Sequence, residues 1–540
     1  MRYKVCILAA GRGSRVSTAA GINKALLPVD SRAMITRILD WFPHDVEAVI
    51  AVGHEAEKVQ QFVDLAMPLR RIKYIPVDNI SGPGAGPGYS LLCCRDELQC
   101  PFVLVACDTL VLEPVPQPKE NWIGIDKVSG SESFLVAEMS GDRVVRLFDK
   151  MVGAEIERAG ASPSEVCKSG FIGLAGINDY LKFWEGLAGN DAIKAGERQT
   201  SNGLESLLDD GIRGYPFTWF DTGTDENYHA TAQQLGSTHF LEKPGEFVYF
   251  EYNRVIKFFS DATRAENRVC RAAHLDGVVP EIVGNSGHYL AYRFVPGSRL
   301  SDVTDPAVFR RFLEFAMERV WKPLQLTSEQ EDAFREASVT FYRDKTEKRV
   351  AEFFSKMTIR DSETIINGDA VPSVRALLDQ VDWDALTAGV AVPFHGDAQP
   401  ENIIVTNGKG GEATGNEFVM VDWREEFGGL LEFGDFYYDL GKLHHALIIT
   451  GEVIRDEQYQ VSVSGHKCDY EYRLRSHLLY FLKEFEAFIE ERGFDLWRVR
   501  LITALIYLNI APLHHFPYDQ LLFYHGKYTL HKVLHKEWVL

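Results

Sequence analysis

The chain has 540 residues, 46% of them hydrophobic and 25% charged, and a net charge of −20. That is length for about three folding units and an ordinary globular composition. Such acidity argues against a nucleic-acid-binding surface, which needs a basic field to neutralise phosphates, but not against small anionic ligands held by local Lys, Arg and backbone amides. Eight cysteines without paired spacing argue against a disulfide framework or zinc site. The opening "MRYKVCILAAG" is too short an apolar run for a signal peptide or a membrane span, and no later run reaches about 18 uninterrupted apolar residues. A cytoplasmic protein without membrane or nucleic-acid partners is expected.

In chain order, the first 110 residues alternate strand and helix. "KVCILAA" predicts a buried strand, "MITRILDWF" an amphipathic helix and "VEAVIAVG" a strand. "AEKVQQFVDLA" predicts a helix, and "PFVLVACD" a strand ending on an acid. This rhythm predicts a mostly parallel sheet with helices on both faces. Mixed strands and loops follow over 120–235, ending in "WFDTGTDENYHATAQQL", an acidic turn entering a helix. The character changes at "EKPGEFVYFEYNRVIKFF", where Pro244-Gly245 signals a turn before two β-rich runs. A domain boundary is expected at about residue 242. A helix, "ATRAENRVCRAAHL", and two strands, "PEIVGN" and "HYLAYRFVPG", come next. Beyond residue 303 the pattern is mainly helical, interrupted only by "FHGDAQPENIIV" and "EFVMVDW".

Two constellations carry chemistry. In "ILAAGRGSR", Gly11 and Gly13 directly follow the first strand and allow a turn tight enough to aim N–H groups at phosphate oxygens. Arg12, Arg15 and Lys24 add positive charge. A lone Gly-x-Gly is also an ordinary strand-to-helix turn. Asp108 shifts the balance, because it ends a strand where an open α/β sheet presents residues to ligands. Asp221 stands in "WFDTGT" more than a hundred residues later. Two carboxylates on separate strand ends can share a Mg²⁺, which takes oxygen ligands and bridges phosphates.

Together, "LAAGRGSR", Lys24, "GAGPGYSLL", "CDTLV", "FDK", "GFIGLAGI" and "WFDTGT" resemble the sugar-nucleotide pyrophosphorylase superfamily of nucleotidyltransferases over roughly residues 1–235. The resemblance implies an α/β, Rossmann-like N-terminal domain. Gly11, Arg12, Gly13 and Arg15 would wrap a nucleoside triphosphate, and Lys24 would stabilise charge on its α-phosphate. Asp108 and Asp221 would hold the metal, and Lys150 would face the second substrate's phosphate. Two departures stand out: Asn23 replaces the usual Pro before the lysine, and "GPGYS" replaces the usual Gly-Thr-Ala of the base loop. The base is therefore open, with a lean to CTP.

The second constellation is "FHGDAQPEN", followed twenty residues after Asn402 by "MVDWR". This order matches phosphoryl transfer: Asp397 near an acceptor hydroxyl, Asn402 and Asp422 coordinating Mg²⁺ on ATP. Upstream, Lys257 lies on a strand and Glu266 on the next helix. With "YRFVPGSRLSD" and "GDFYYDLGKL", residues from about 246 to 540 resemble the aminoglycoside phosphotransferase and choline kinase family. The resemblance implies a protein-kinase-like fold, with a small lobe at about 242–300 and a mainly helical large lobe at about 301–540. Asp397 would be the base, Lys257 would bind ATP, and Glu266 would orient Lys257. Asp439 would tie the metal strand to a helix. Asp435, Tyr437 and Tyr438 would either meet a cationic acceptor or pack and cap.

A two-domain organisation, 1–241 and 242–540, is thus expected to phosphorylate a small hydroxyl compound with ATP and then couple the ester to an NTP. A choline- or ethanolamine-like acceptor giving a CDP-linked precursor of cell-surface polymer is favoured. The alternative is a sugar phosphorylated at its anomeric carbon and converted to an NDP-sugar.

Overall fold

The structure, a computed structural model, describes residues 2–13, 21–127, 135–149, 169–189, 196–236, 245–406 and 416–538. The chain divides into two compact units. One is Met1–Ser260 with Ser286–Ala291, the other Asp261–Asn285 with Tyr292–Leu540.

The first unit is built on β1 (Lys4–Ala9), whose apolar run is covered on both faces. The first stretch of the unit also holds α1 (Met34–Leu39), β2 (Ala48–Val52), α2 (Ala56–Ala66), β3 (Ile72–Pro76), α3 (Pro87–Cys93) and β4 (Phe102–Ala106). Helix α2 forms because Val59, Phe62, Val63 and Ala66 recur at helical spacing and bury one face. Beyond β4 lie β5 (Thr109–Val111), β6 (Trp122–Lys127), β7 (Leu135–Ser140), β8 (Arg143–Asp149), β9 (Ser169–Ile177), α4 (Tyr180–Gly189), β10 (Ile212–Pro216), β11 (Trp219–Asp221) and α5 (Asp225–Leu235). Nine strands form one sheet in the order β3-β2-β1-β4-β9-β6-β10-β8-β7.

The expected parallel arrangement holds in one half only. β3, β2, β1 and β4 are mutually parallel, with Val5 beside Ala48 and Leu8 beside Ala106. The other half is mixed: β9 runs antiparallel to β4 and β6, and β8 antiparallel to β7 and β10. The reason is local. Only Gly141 and Asp142 separate β7 from β8, Gly141 has φ +63°, and so short a loop can join only antiparallel neighbours. The core beneath the sheet includes Phe102 stacked on Trp184, ring centroids 5.4 Å apart.

The hairpin β12 (Glu246–Glu251) and β13 (Arg254–Phe259) belongs to the same unit. Tyr249 packs on Phe62 at 4.6 Å, and the fully buried Glu251 bonds Arg32, the Ala33 amide and Thr36.

The second unit is mainly helical. It includes α6 (Ala262–Ala272), α7 (Lys345–Met357), the short strands β14 (Ile403–Val405) and β15 (Phe418–Met420), and α8 (Phe436–Ile448). Next come the strands β16 (Tyr459–Ser464) and β17 (Lys467–Tyr472), then α9 (Ser476–Glu491), α10 (Leu496–Ile510) and α11 (Tyr518–Leu534). All thirteen residues of α8 are buried, as expected of a helix packed on every side. A π-helical stretch, Thr340–Asp344, runs directly into α7.

The expectation that only two strands interrupt the helices beyond residue 303 is corrected by the β16–β17 hairpin. Its "YQVSVSGHKCDYEY" alternates exposed and at least half-buried residues, with Gly465 in its turn at φ +58°. Among the described residues one helical stretch, Leu496–Leu513, is long and apolar enough to cross a membrane. It has a mean hydropathy of 1.3 and is 61% buried within the protein.

Candidate functional sites

In the parallel half of the first sheet, the connections from β1 lead to β2 on one side, while β4 lies on the other. The carboxyl ends of β1 and β4 therefore flank the crevice where open α/β sheets take ligands. Gly11, Arg12 and Gly13 stand at the end of β1, the first two exposed. Gly13 has φ +62°, and its backbone runs against the Lys24 stem: a Cβ there would lie 3.4 Å from Lys24 Cβ. Arg15 and Lys150 fall outside the described residues.

Lys24 heads a single helical turn and pairs with Asp108 just beyond β4, both side chains mostly shielded from solvent. Asp221 comes to the same place because β11 pairs antiparallel with β5, Asp221 opposite Thr109, and the Thr222 amide donates 3.0 Å to the Asp108 carbonyl. A Cβ on Gly223 would sit 2.9 Å from Asp221 Oδ1 and 3.2 Å from Asp108 Oδ2, so both carboxylates face that glycine. The Gly223 amide and Asn227 Nδ2 fix the Asp221 carboxylate at 2.8 and 2.6 Å.

Three residues that sequence reasoning did not place in the site support it: Asn23 and Tyr249 hold the lysine turn, and Asn227 holds Asp221. Asn23 is fully buried; its amide donates to the Ala9 and His54 carbonyls at 2.7 and 2.8 Å and its oxygen accepts from the Ala25 amide at 2.9 Å. The departure from Pro was visible in the sequence, but this bonding was not. Tyr249 donates 2.8 Å to the Leu26 carbonyl across 223 residues of sequence, and no local pattern signals that. Asn227 lies six residues beyond Asp221 in the first turns of α5, a helical offset legible in principle. The "GPGYS" loop is pinned by backbone: Gly88 N donates to Arg198 O at 2.8 Å and Arg198 N to Ala85 O at 2.7 Å. Gly86, at φ +115°, leaves no room for a side chain there, since its Cβ would lie 2.8 Å from Arg198 O.

In the second unit, Asp397 and Asn402 are brought together by the loop entering β14. Asn402 Nδ2 donates to the Asp397 carbonyl at 3.0 Å and to its carboxylate at 3.2 Å. β14 and β15 pair antiparallel, and the Val421 amide donates 2.8 Å to the Asn402 carbonyl. Asp422, in the left-handed region at φ +58°, follows directly and pairs with Arg268 of α6. Glu266 is exposed on that helix. Lys257 is buried on β13 of the first unit, opposite Val248.

Lys442 was not anticipated; its Nζ lies 2.7 Å from Asp397 Oδ1. It stands one helical turn beyond Asp439, so the two share a face of α8. Asp439 itself accepts from the His395 and Gly396 amides at 2.7 and 2.6 Å, so it holds the Asp397 loop rather than the Asp422 strand. Burial pushes the Asp439 carboxyl up to about 6 and the His395 imidazole down to about 4. Asp435 is committed to structure: it caps α8 at the Tyr437 amide and accepts from Tyr342 at 2.6 Å.

Among the described residues no group of three or more His, Cys, Asp or Glu gathers as a metal cluster. Mg²⁺ requires less, one or two carboxylates plus substrate phosphates. The carboxylates of Asp108 and Asp221, which face the same glycine, fit that need; Asn402 and Asp422 are brought near each other through the backbone, by the bond from the Val421 amide to the Asn402 carbonyl.

Part of the first unit is similar to known proteins. The model of the MobA-like NTP transferase domain matches residues 5–115. Among solved structures, a UDP-glucose pyrophosphorylase complexed with UDP-glucose is similar at 15% identity, over 43% of this chain and 98% of that one, with a TM-score of 0.36. The inositol-1-phosphate CTP transferase from T. maritima is similar at 12% identity, over 44% and 97%, with a TM-score of 0.34. No curated protein matches the chain. Residues 5–115 of the first unit are thus similar to the MobA-like NTP transferase domain.

Proposed function

We infer that the protein is a two-step activating enzyme. Its first domain, about 1–241, would be the nucleotidyltransferase, and 242–540, whose leading hairpin clusters with the first compact unit, a kinase-like phosphotransferase. In the first, an oxygen of a phosphomonoester attacks the α-phosphorus of an NTP in line, and pyrophosphate leaves with the electrons of the broken P–O bond. Gly11, Arg12, Gly13 and Arg15 bind the triphosphate, Lys24 offsets charge on the α-phosphate, and Lys150 receives the ester's phosphate. Asp108 and Asp221 would hold Mg²⁺, which supplies charge neutralisation. The chemistry requires alignment and electrostatics rather than a covalent intermediate. CTP is the favoured donor, with UTP or another NTP and a sugar 1-phosphate as the second reading. The observation that carries the assignment is the convergence of Lys24, Asp108 and Asp221 at the β1–β4 crevice.

In the second step of the reading, Asp397 takes the proton of an acceptor hydroxyl as its oxygen bonds the γ-phosphorus of ATP, and ADP departs. Asn402 and Asp422 would hold Mg²⁺ there. The reading is supported by the hydrogen bonds joining Asn402 to Asp397 and by the strand pairing that sets Asp422 beside them. A kinase product is the phosphomonoester that a nucleotidyltransferase consumes, and ATP and CTP as substrates suit a cytoplasmic enzyme.

The test pairs two variants with two assays. Asp397→Asn should abolish ATP-dependent phosphorylation and leave pyrophosphate release from a supplied phosphomonoester and NTP intact. Asp108→Asn should do the reverse. Loss of both activities in either folded variant would refute the division of labour.

A further inference from the structure

Three carboxylates stand around the Asp397 loop, and each already has a cation. Asp397 has Lys442, Asp422 has Arg268, and Glu425 has Arg264 at 3.3 Å and Arg268 at 3.4 Å. Two further cations share one ring face region, while Arg271 is taken up by the carbonyls of Phe394, Arg424 and Leu431. Lys345, the first residue of α7, lies 4.1 Å from the centre of the Phe341 ring and 5.7 Å from that of Tyr438. Arg424, which follows the Asp422 strand, lies 5.0 Å from the centre of the same Phe341 ring.

Among the described residues neither makes an ion pair, and Arg424 Nε is a buried donor without an acceptor. Two cations on one phenyl ring repel each other, and a ring face compensates little of what an ammonium loses on leaving water. Burial, then Arg424 and Lys442, push the Lys345 ammonium's pKa well down. The π-helical stretch Thr340–Asp344 that sets Phe341 and Lys345 in place is itself a costly irregularity, of a kind common at functional positions.

The groups that would greet a cationic acceptor are meanwhile engaged by the protein. Asp435 caps α8 and bonds Tyr342, Arg498 covers the Tyr437 ring at 4.4 Å, and Lys345 faces Tyr438.

We propose that Lys345 and Arg424 form an oxyanion subsite, so that the acceptor phosphorylated at Asp397 is an anionic hydroxyl compound bearing a carboxylate, phosphate or phosphonate. This rests on the reading of Asp397 as the base, and departs from the choline-like acceptor that the sequence favoured. The acceptor's hydroxyl oxygen bonds the γ-phosphorus, its proton passes to Asp397, and the bond from the γ-phosphorus to the bridging oxygen breaks to release ADP. The acceptor's own anion stays on Lys345 and Arg424, unreacted.

The experiment uses the full chain and four probes of matched size: D-glycerate, sn-glycerol 3-phosphate, glycerol and choline. ATP consumption should show kcat/KM at least tenfold higher for one of the two anions than for glycerol, and choline should be poorest. The better anion identifies carboxylate or phosphate as the preferred group. Lys345→Met and Arg424→Met should each raise KM for that anion tenfold or more with less than a threefold change in kcat. Lys345→Arg should recover most of the loss, and thermal unfolding checks that the variants fold. Preference for glycerol or choline in the wild-type protein overturns the proposal without any variant. If no probe is phosphorylated, the kinase reading falls and calorimetric binding decides the subsite. Binding of an anion at least tenfold tighter than glycerol, lost in Lys345→Met, sustains it; equal or absent binding ends it.

Discussion

Replacing Asn23 by alanine isolates the part of the N-terminal site that rests on hydrogen bonding alone. Asn23 is fully buried, and its side chain makes three bonds, to Ala9 O, His54 O and Ala25 N. Alanine strands two acceptors and one donor. Each buried polar group left unpaired costs about 1–3 kcal/mol. Three in one small volume relax together, and a water can enter the space vacated by the amide. The lower end of the sum applies, a loss of about 3 kcal/mol from the first unit. With a urea slope of about 1–3 kcal/mol/M, the unfolding midpoint should fall by about 1 M or more. Asn23→Asp sharpens the test, because it keeps an acceptor for Ala25 N but turns an anion toward two carbonyl oxygens. It should destabilise at least as much as alanine. A loss below about 1 kcal/mol for alanine, or an aspartate variant milder than alanine, would refute this accounting of Asn23.

Other consequences are equally open to measurement. Lys442→Met removes the ammonium 2.7 Å from Asp397; phosphorylation should fall by about tenfold or more while pyrophosphate release is unchanged, and unaltered phosphorylation would remove Lys442 from the site. Gly86→Ala forces a side chain onto Arg198 O at φ +115°; KM for the NTP should rise by about tenfold at a stability cost of about 1–3 kcal/mol, and wild-type kinetics would separate this loop from base binding. His525, buried against Tyr507 and bonded to Tyr470, has its pKa pushed down to about 3 by burial. Folding favours its neutral form, so its contribution is present above about pH 6.5 and is lost as pH falls toward about 3. The second unit should lose about 2 kcal/mol by pH 5 from this group, and His525→Gln should flatten that slope.

Much of the first unit was legible in the chain itself. Apolar runs covered on both faces, and helical spacing in Val59, Phe62, Val63 and Ala66, determine β1, β2, β4 and α2 almost to their ends. The glycines after β1 and the acids at the ends of later strands were legible as well, because strand ends and turn residues are local signals. The β16–β17 hairpin was legible too, in its period-two alternation about Gly465, but its exposed polar face hid it among helices.

Tertiary structure alone decided the partners. Tyr249 meets Leu26 across 223 residues, Arg268 meets Asp422 across 154, and Lys442 meets Asp397 across 45. Periodicity says which face of an element is buried, but not which distant element covers it. That choice comes from packing the whole core at once, so the charges surrounding Asp397 emerge only after α6, α7 and α8 have closed on its loop.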